Sequence, residues 1–464
     1  MSSIRFKLCV MMFLQFFIWG AWLPPSFPFF GEGALDFTET EKLLLNICFP
    51  VAAIIAMFGA NQFVDRNFAA QKFLAFSHLI GGLAILGFGY LSWTTFNGPT
   101  AVRPNFWLFF ACMAVHCFFY VPTITVTNTL AFANLEDPQR DFGPVRLWGT
   151  IGWIAASLPF IFILLDWKKV GELQSDGGTF TYLTKMLGTS LEGAPLQQGR
   201  SWAFLTAGIA SLLLAGFSLT LPHTPPKKNA GESFALLESL RLLKHPFLLV
   251  LFLCTFIDAT VHDGFFVFGF SFLGDVGVPG NWIAPAMTIG QISEILTMAV
   301  LGWVLKSFGW RATMIVGVLG HLIRFSLFAL FPNQGMPEPY LALAVNLVHG
   351  VCYAFFFATL YIFVDAVFPK DARTSAQGLF NFLILGLGPI TSRFVWEPMK
   401  KFTVPLLDDK GEPILNAAGE VVKRIDYGFV LWFPAAAALV AAVLLLLFFH
   451  PPKELDESKV KAGH

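Results

Sequence analysis

Arg146, Thr150 and Trp153 stand at i, i+4 and i+7 of one apolar run, so on a helix a guanidinium, a hydroxyl and an indole share a face. That face offers charge, a hydrogen bond and a stacking plane together, which is how a small polar ligand is held. An arginine at a helix start also serves as an interfacial anchor, its stem snorkelling along apolar surface. Gln291 and Glu294 form a second such pair, i and i+3 on an otherwise apolar stretch, so amide and carboxylate face the same way. A carboxylate there either accepts a ligand hydroxyl, carries a proton, or pairs with a neighbouring helix. Asp258, His262 and Asp263 lie among phenylalanines, with Phe266 one turn on, and His349 and Tyr353 are spaced i, i+4. Carboxylates and imidazoles can both exchange protons near neutral pH once their surroundings perturb them.

The elements that must position these groups are membrane helices. The chain has 464 residues, of which 56% are hydrophobic and 13% charged, with 54 phenylalanines. Apolar sequence spread over the whole length predicts an all-α polytopic membrane protein. Lys plus Arg and Asp plus Glu are equal at 30 each, so no bulk charge points to nucleic acid. The six cysteines sit singly in apolar runs without metal-ligand spacing and read as small buried hydrophobes. No metal site is expected. The basic Arg5 and Lys7 precede an apolar run that holds Trp19 and Trp22 and lacks a small-residue cleavage site, so that run reads as the first span.

Runs of spanning length fall at 8–30, 43–64, 73–93, 106–132, 145–165, 202–221, 247–273, 283–305, 313–331, 340–367, 376–396 and 429–449. The most polar short stretch before the C-terminal tail lies between the sixth and seventh, with Lys227, Lys228, Glu232, Glu238, Arg241 and Lys244. The expected organisation is a bundle over 1–222, a cytoplasmic linker over 223–245, a second bundle over 246–450 and a cytoplasmic tail over 451–464. With the N-terminus inside, the short inner segments carry Arg5, Lys7, Arg66, Lys72, Arg140, Lys306, Arg311, Lys370 and Arg373, and the short outer ones little beyond Lys42 and Arg103. The positive-inside rule therefore predicts both termini in the cytoplasm. Pro122, Pro159 and Pro389 predict kinks. Tyr120, Thr123 and Thr127 share a face that either lines a cavity or bonds helices, and His78, His116 and His321 read as hydrogen-bonded packing residues.

Gly59 followed six residues later by Asp65-Arg66 resembles the cytoplasmic signature of the major facilitator superfamily. A carboxylate beside a helix end there can gate one conformation. The resemblance narrows further. Phe13-Leu14-Gln15-Phe16 with Trp19 to Trp22, Tyr120 to Thr123 with Asn128-Thr129, Arg146 to Thr150, Thr220 to His223, Gln291 to Glu294, Arg324-Phe325 and Arg373 to Gly378 resemble the nucleoside:proton symporter family, in order along nearly the whole chain. The resemblance implies a major facilitator fold of 12 transmembrane helices in two six-helix bundles. It also implies a non-enzymatic permease of a bacterial inner membrane, importing nucleosides by alternating access with the proton as coupling ion and no cofactor. The residue reading and the resemblance together put Arg146, Thr150, Trp153, Asp263, Phe266, Gln291, Glu294, His349 and Tyr353 at the substrate, and a monomer is expected to suffice. The chain departs from the pattern at four places: Asp263 replaces an amide, Phe266 stands where another is usual, His349 replaces a tyrosine, and Ala354 occupies the position of an aspartate implicated in coupling. Glu294 and Asp263 are the expected proton carriers in its absence, with His349 able to substitute. A facilitator or symporter for a sugar or other polar solute, and a membrane ligand sensor, are the competing readings; the sensor would bind without net flux.

Overall fold

A computed structural model describes residues 3–31, 33–97, 104–173, 178–226, 243–330, 339–368, 370–408, 410–416 and 419–451. Eleven helices among them are long and apolar enough to cross a membrane. One of these, Ile283–Leu330, runs for 48 residues. At about 1.5 Å per residue it would be more than twice as long as the roughly 30 Å hydrocarbon core. It is broken at Gly309, whose φ of 73° and ψ of 175° lie outside the helical region and need a residue without Cβ. Counting its two parts separately gives twelve spans. The expected loop around 306–312 is therefore a single-residue break between helices.

The first compact unit takes the chain up to Phe234 together with Pro279–Thr288; the second takes Ala235–Val278 and everything from Ile289. Unit 1 holds α1 (Ser3–Phe29), α2 (Glu39–Phe58), α3 (Ala70–Thr95), α4 (Phe106–Asn134), α5 (Arg140–Ile163) and α6 (Gly193–Ser218). Unit 2 holds α7 (Pro246–Asp275), α8 (289–308), α9 (310–330), α10 (Pro339–Val367), α11 (Ala376–Lys401) and α12 (Tyr427–Phe448). In unit 1, α1 packs on α5 and α6, α3 on α4 and α6, and α2 on α4. In unit 2, α7 packs on α11 and α12, and the α8–α9 run on α10 and α12.

Helix starts are set by local chemistry. Thr38 and Glu41 form a capping box at α2, and Asn105, Asp137 and Asp426 cap the starts of α4, α5 and α12. Pro159 interrupts α5, which stops at Ser157 and resumes at Phe160. Pro122 is carried within a continuous α4. Pro389 follows a widened π turn over Phe382–Leu387, and a second such turn covers Tyr353–Ala358 in α10. Two features were not expected: short helices Trp167–Gly171 and Gly178–Gly188 between α5 and α6, and an antiparallel pair of strands, β1 (Thr403–Pro405) and β2 (Lys423–Ile425), between α11 and α12. Pro279–Thr288 is tied into unit 1 by Asn281, whose amide donates to the carbonyls of Ile161 and Leu187 at 3.0 and 2.8 Å.

Burial is inverted relative to a water-soluble fold. Leu83, Leu213, Leu296 and Leu447 are exposed, whereas Gln15, His78, His116, Asp258, His321, Arg324 and His349 are buried. Such a surface suits lipid, where polar groups must find partners inside the protein. The cysteines are free thiols, all buried except the half-buried Cys112. Residues 227–242, the body of the expected linker, lie outside the described residues, as do the side chains of Asp65 and 371–375. Arg66 is half-exposed on Asn61–Asn67.

Candidate functional site

In unit 1 the face of α5 is shaped by its approach to α1. A Cβ on Gly149 would stand 2.6 Å from the Phe16 ring, and one on Gly20 2.7 Å from the Trp153 carbonyl. A Cβ on Gly152 would overlap the Phe13 backbone. Small residues thus bring the two backbones together. The guanidinium of Arg146 then lies 3.9 Å from the centre of the Phe16 ring, a cation–π contact. Trp153 meets Trp19 edge-on with centroids 5.3 Å apart, and Trp19 stacks on Phe49 of α2 at 4.9 Å. Arg146, Thr150 and Trp153 are all half-buried.

Behind this face, α1 is pinned by a buried network. Gln15 donates through Nε2 to Thr123 Oγ1 at 2.8 Å, while its Oε1 lies 2.9 Å from His78 Nε2. Tyr120 donates to the Gln15 carbonyl at 2.5 Å, and His78 Nδ1 lies 3.1 Å from Ser211 Oγ. Four helices, α1, α3, α4 and α6, meet in these bonds. Tyr120 and Thr123 therefore bond helices together, and the Thr127 hydroxyl donates to the Ile124 carbonyl in its own helix. Of the three histidines read as packing residues, His78 and His116 fit that role, His116 Nδ1 lying 2.9 Å from the Gly81 carbonyl.

In unit 2 the substrate candidates on α8 and α10 are brought together by glycines. A Cβ on Gly290 would sit 2.8 Å from His349, and one on Gly350 would overlap the backbone of Ser293 and Glu294. Ser293 Oγ donates to the Leu347 carbonyl at 2.5 Å across the same seam. Gln291 is buried and Glu294 half-buried beside it. On α7, the rings of His262 and Phe266 complete a cluster with His349 and Tyr353; His262 lies 4.9 Å from His349 and 6.0 Å from Tyr353, centroid to centroid. Phe266 meets His349 edge-on at 6.4 Å.

Two arginines that sequence reasoning gave no site role organise this region. Arg324, fully buried on α9, contacts His349 Nδ1 through Nη1 at 2.6 Å and His321 Nδ1 through Nη2 at 3.1 Å. A guanidinium has only donors. Both Nδ1 atoms must therefore accept, which leaves the proton of each ring on Nε2. His349 is thus a fixed Nε2–H donor, and His321 is part of a charged cluster as well as packed. Arg393 on α11 grips Asp263 in a fork, Nη1 to Oδ2 at 2.5 Å and Nη2 to Oδ1 at 3.1 Å. Trp396 reinforces the same seam, donating to the Thr260 carbonyl at 2.8 Å and lying 3.0 Å from where a Gly264 Cβ would be. The only signal for Arg393 was its charge inside an apolar run.

A family model described as "Nucleoside H+ symporter" matches residues 1–175 and 178–454. The chain belongs to the nucleoside:proton symporter family. It is a secondary transporter, not an enzyme, and imports nucleosides with protons across the bacterial inner membrane, in which it is embedded by multiple spans. It is 33% identical over 395 residues to the putative nucleoside transporter YegT of Escherichia coli K12, covering 83% of this chain and 81% of that one. It is 26% identical to the nucleoside permease NupG of the same strain over 414 residues, covering 85% and 87%. The NupG crystal structure superposes with a TM-score of 0.72 at 22% identity, covering 97% of this chain and 100% of that one. A D-xylose–proton symporter superposes at 0.65 with 15% identity over 99% and 100%, a likeness of fold alone. The fold is that of the major facilitator superfamily, with twelve spans in two six-helix bundles; the sugar-carrier and sensor readings are not favoured.

Proposed function

We propose that the residues that contact a nucleoside during import are Arg146, Thr150 and Trp153 in unit 1, and Phe266, Gln291, Glu294, His349 and Tyr353 in unit 2. Trp153, Phe266 and Tyr353 supply stacking planes for a base. Gln291 and Glu294 supply acceptors for sugar hydroxyls, and His349 Nε2–H supplies a donor whose orientation Arg324 holds. The observation that carries the reading is the α8–α10 seam, where Gly290 admits the His349 ring and Gly350 admits the backbone of Ser293 and Glu294. Asp263 has its carboxylate engaged by Arg393, so in this reading it orders α7 against α11.

The rest of the reading follows the expectations: both termini cytoplasmic, a linker over 223–245 joining bundles over 1–222 and 246–450, Asp65 and Arg66 gating on the inner side, and function as a monomer. The test is equilibrium binding of [3H]uridine and [3H]adenosine to purified protein. Glu294→Gln is expected to weaken binding by about 10- to 100-fold, the worth of one hydrogen bond to a charged acceptor. Unchanged affinity in that variant removes Glu294 from the site.

A further inference from the structure

Unit 2 contains a line of ionisable groups of which the nucleoside reading uses only the last. Asp258 on α7 is fully buried, and both of its carboxylate oxygens lack a hydrogen-bond partner among the described residues. Its Oδ1 lies 3.7 Å from Nε2 of His321. His321 Nδ1 accepts from Arg324 at 3.1 Å, and Arg324 donates to His349 Nδ1 at 2.6 Å. The line therefore runs Asp258, His321, Arg324, His349, from an unpartnered carboxylate to a residue of the proposed substrate face.

We propose that Asp258 is the binding site of the coupling proton and that His321 and Arg324 connect its protonation to the substrate through His349. This rests on the nucleoside-binding reading above for the role of His349. The chemistry is one O–H bond formed on the Asp258 carboxylate from a proton of the outer solution and broken again towards the inner one.

Two opposed effects act on Asp258. A carboxylate shut away from water, with no donor to its oxygens, is unfavourable as an anion. The Arg324 guanidinium favours that anion by charge. His321 cannot displace Arg324's bond at Nδ1, so its Nε2–H faces Asp258 as a donor that closes to a hydrogen bond only when α7 and α9 shift slightly. Small movements thus change the balance, as a carrier requires. When Asp258 is neutral, Arg324 loses its nearby counter-charge and its hold on His321 and His349 changes. A ligand on His349 then senses the proton, and by linkage the proton senses the ligand.

Asp263 on α7 and Glu294 on α8 are the alternative carboxylates. On α7 the neighbours are Cys254 and His262, whose Nδ1 also lacks a partner among the described residues. On α9 they are His321 and Arg324, and on α10 His349, Cys352 and Tyr353. Asp263 on α7 is paired with Arg393 on α11. The α12 stretch Trp432–Phe448 has no ionisable side chain.

The experiment uses the full chain in proteoliposomes with the membrane voltage clamped to zero and [3H]uridine as probe. A gradient of one pH unit, acid outside, drives up to about tenfold accumulation at one proton per nucleoside. Asp258→Asn is expected to retain uridine exchange while accumulation falls to a ratio of about one, and Asp258→Glu to restore part of it. Asp258→Asn that accumulates like wild type overturns the proposal. Should Asp258→Asn not fold, the wild-type protein answers by infrared difference spectroscopy with and without uridine. A carboxylic C=O band that shifts with 13C-aspartate labelling, and persists in Asp263→Asn, supports Asp258. A band that shifts only with 13C-glutamate overturns it in favour of Glu294. Wild type that exchanges uridine but ignores the gradient overturns the proton site alone. Wild type that neither binds nor exchanges uridine or adenosine overturns the nucleoside reading, and the proton site falls with it.

Discussion

Asp263 and Arg393 illustrate what a buried ion pair does at the scale of single residues. The side chains are 15% and 4% exposed, and the fork uses both carboxylate oxygens. Removing one partner leaves the other charge uncompensated, at a cost of about 3–5 kcal/mol. Arg393→Ala is therefore expected to lower the thermal unfolding temperature of the purified protein well below that of the Arg393→Met, Asp263→Leu double variant, which leaves no charge behind. Equal unfolding temperatures for the two would show that the pair carries no such burden. His349 makes the complementary point. Its ring stands where the family has a tyrosine, and Arg324 on Nδ1 makes it a donor of fixed tautomer. His349→Phe is expected to weaken uridine binding about 10-fold, the loss of one hydrogen bond, with purified-protein stability as the control for the Arg324 donor it strands.

Elements meet here through glycines. Gly152 and Gly350 have no space for a side chain because another helix's backbone occupies it, whereas Gly216 on α6 has nothing within 4 Å of its Cβ position. Gly152→Val and Gly350→Val should force α1 from α5 and α8 from α10, costing at least about 1–3 kcal/mol and reducing uridine binding. Gly216→Ala should be neutral or stabilising by about 0.5–1 kcal/mol through helix propensity. Unfolding curves of the three variants, read beside binding, check the contrast. If Gly152→Val and Gly216→Ala unfold alike, close backbone approach is not what holds α1 to α5. The π turn at Tyr353–Ala358 acts at the same scale, since one extra residue in the turn re-aims Tyr353 relative to a regular helix.

For the whole molecule, the expected outcome is uptake that follows the sign of the proton gradient. Acid outside loads the carrier on the outer face and the less acid interior unloads it, so lowering external pH at constant internal pH should raise steady-state uridine accumulation, and an uncoupler should abolish it without stopping exchange. Accumulation that is indifferent to an uncoupler would remove the proton from the cycle. Both termini are expected on the inner side. Cysteine labelling from one side of sealed vesicles, at Ser3 and at His450, tests this; reaction from the outside at either position would reverse that end.

By itself the amino-acid sequence determined the class of fold, the near positions of the spans and the residues able to do chemistry, because hydropathy and helical spacing are local properties. Arg146, Thr150 and Trp153, or Gln291 and Glu294, share a face for reasons that need only the helix period. The family motifs likewise follow chain order. What these residues touch was decided by packing alone. Asp263 and Arg393 are 130 residues apart, and no local pattern indicates that the carboxylate is paired with an arginine. Arg324 reaches His321 and His349 from a helix that read simply as a ninth span, and Asp258 is left without a donor among the described residues. Hydrogen bonds and ion pairs act over a few ångströms, so their partners exist only once distant helices have been brought into contact, and tertiary structure is where that contact is made.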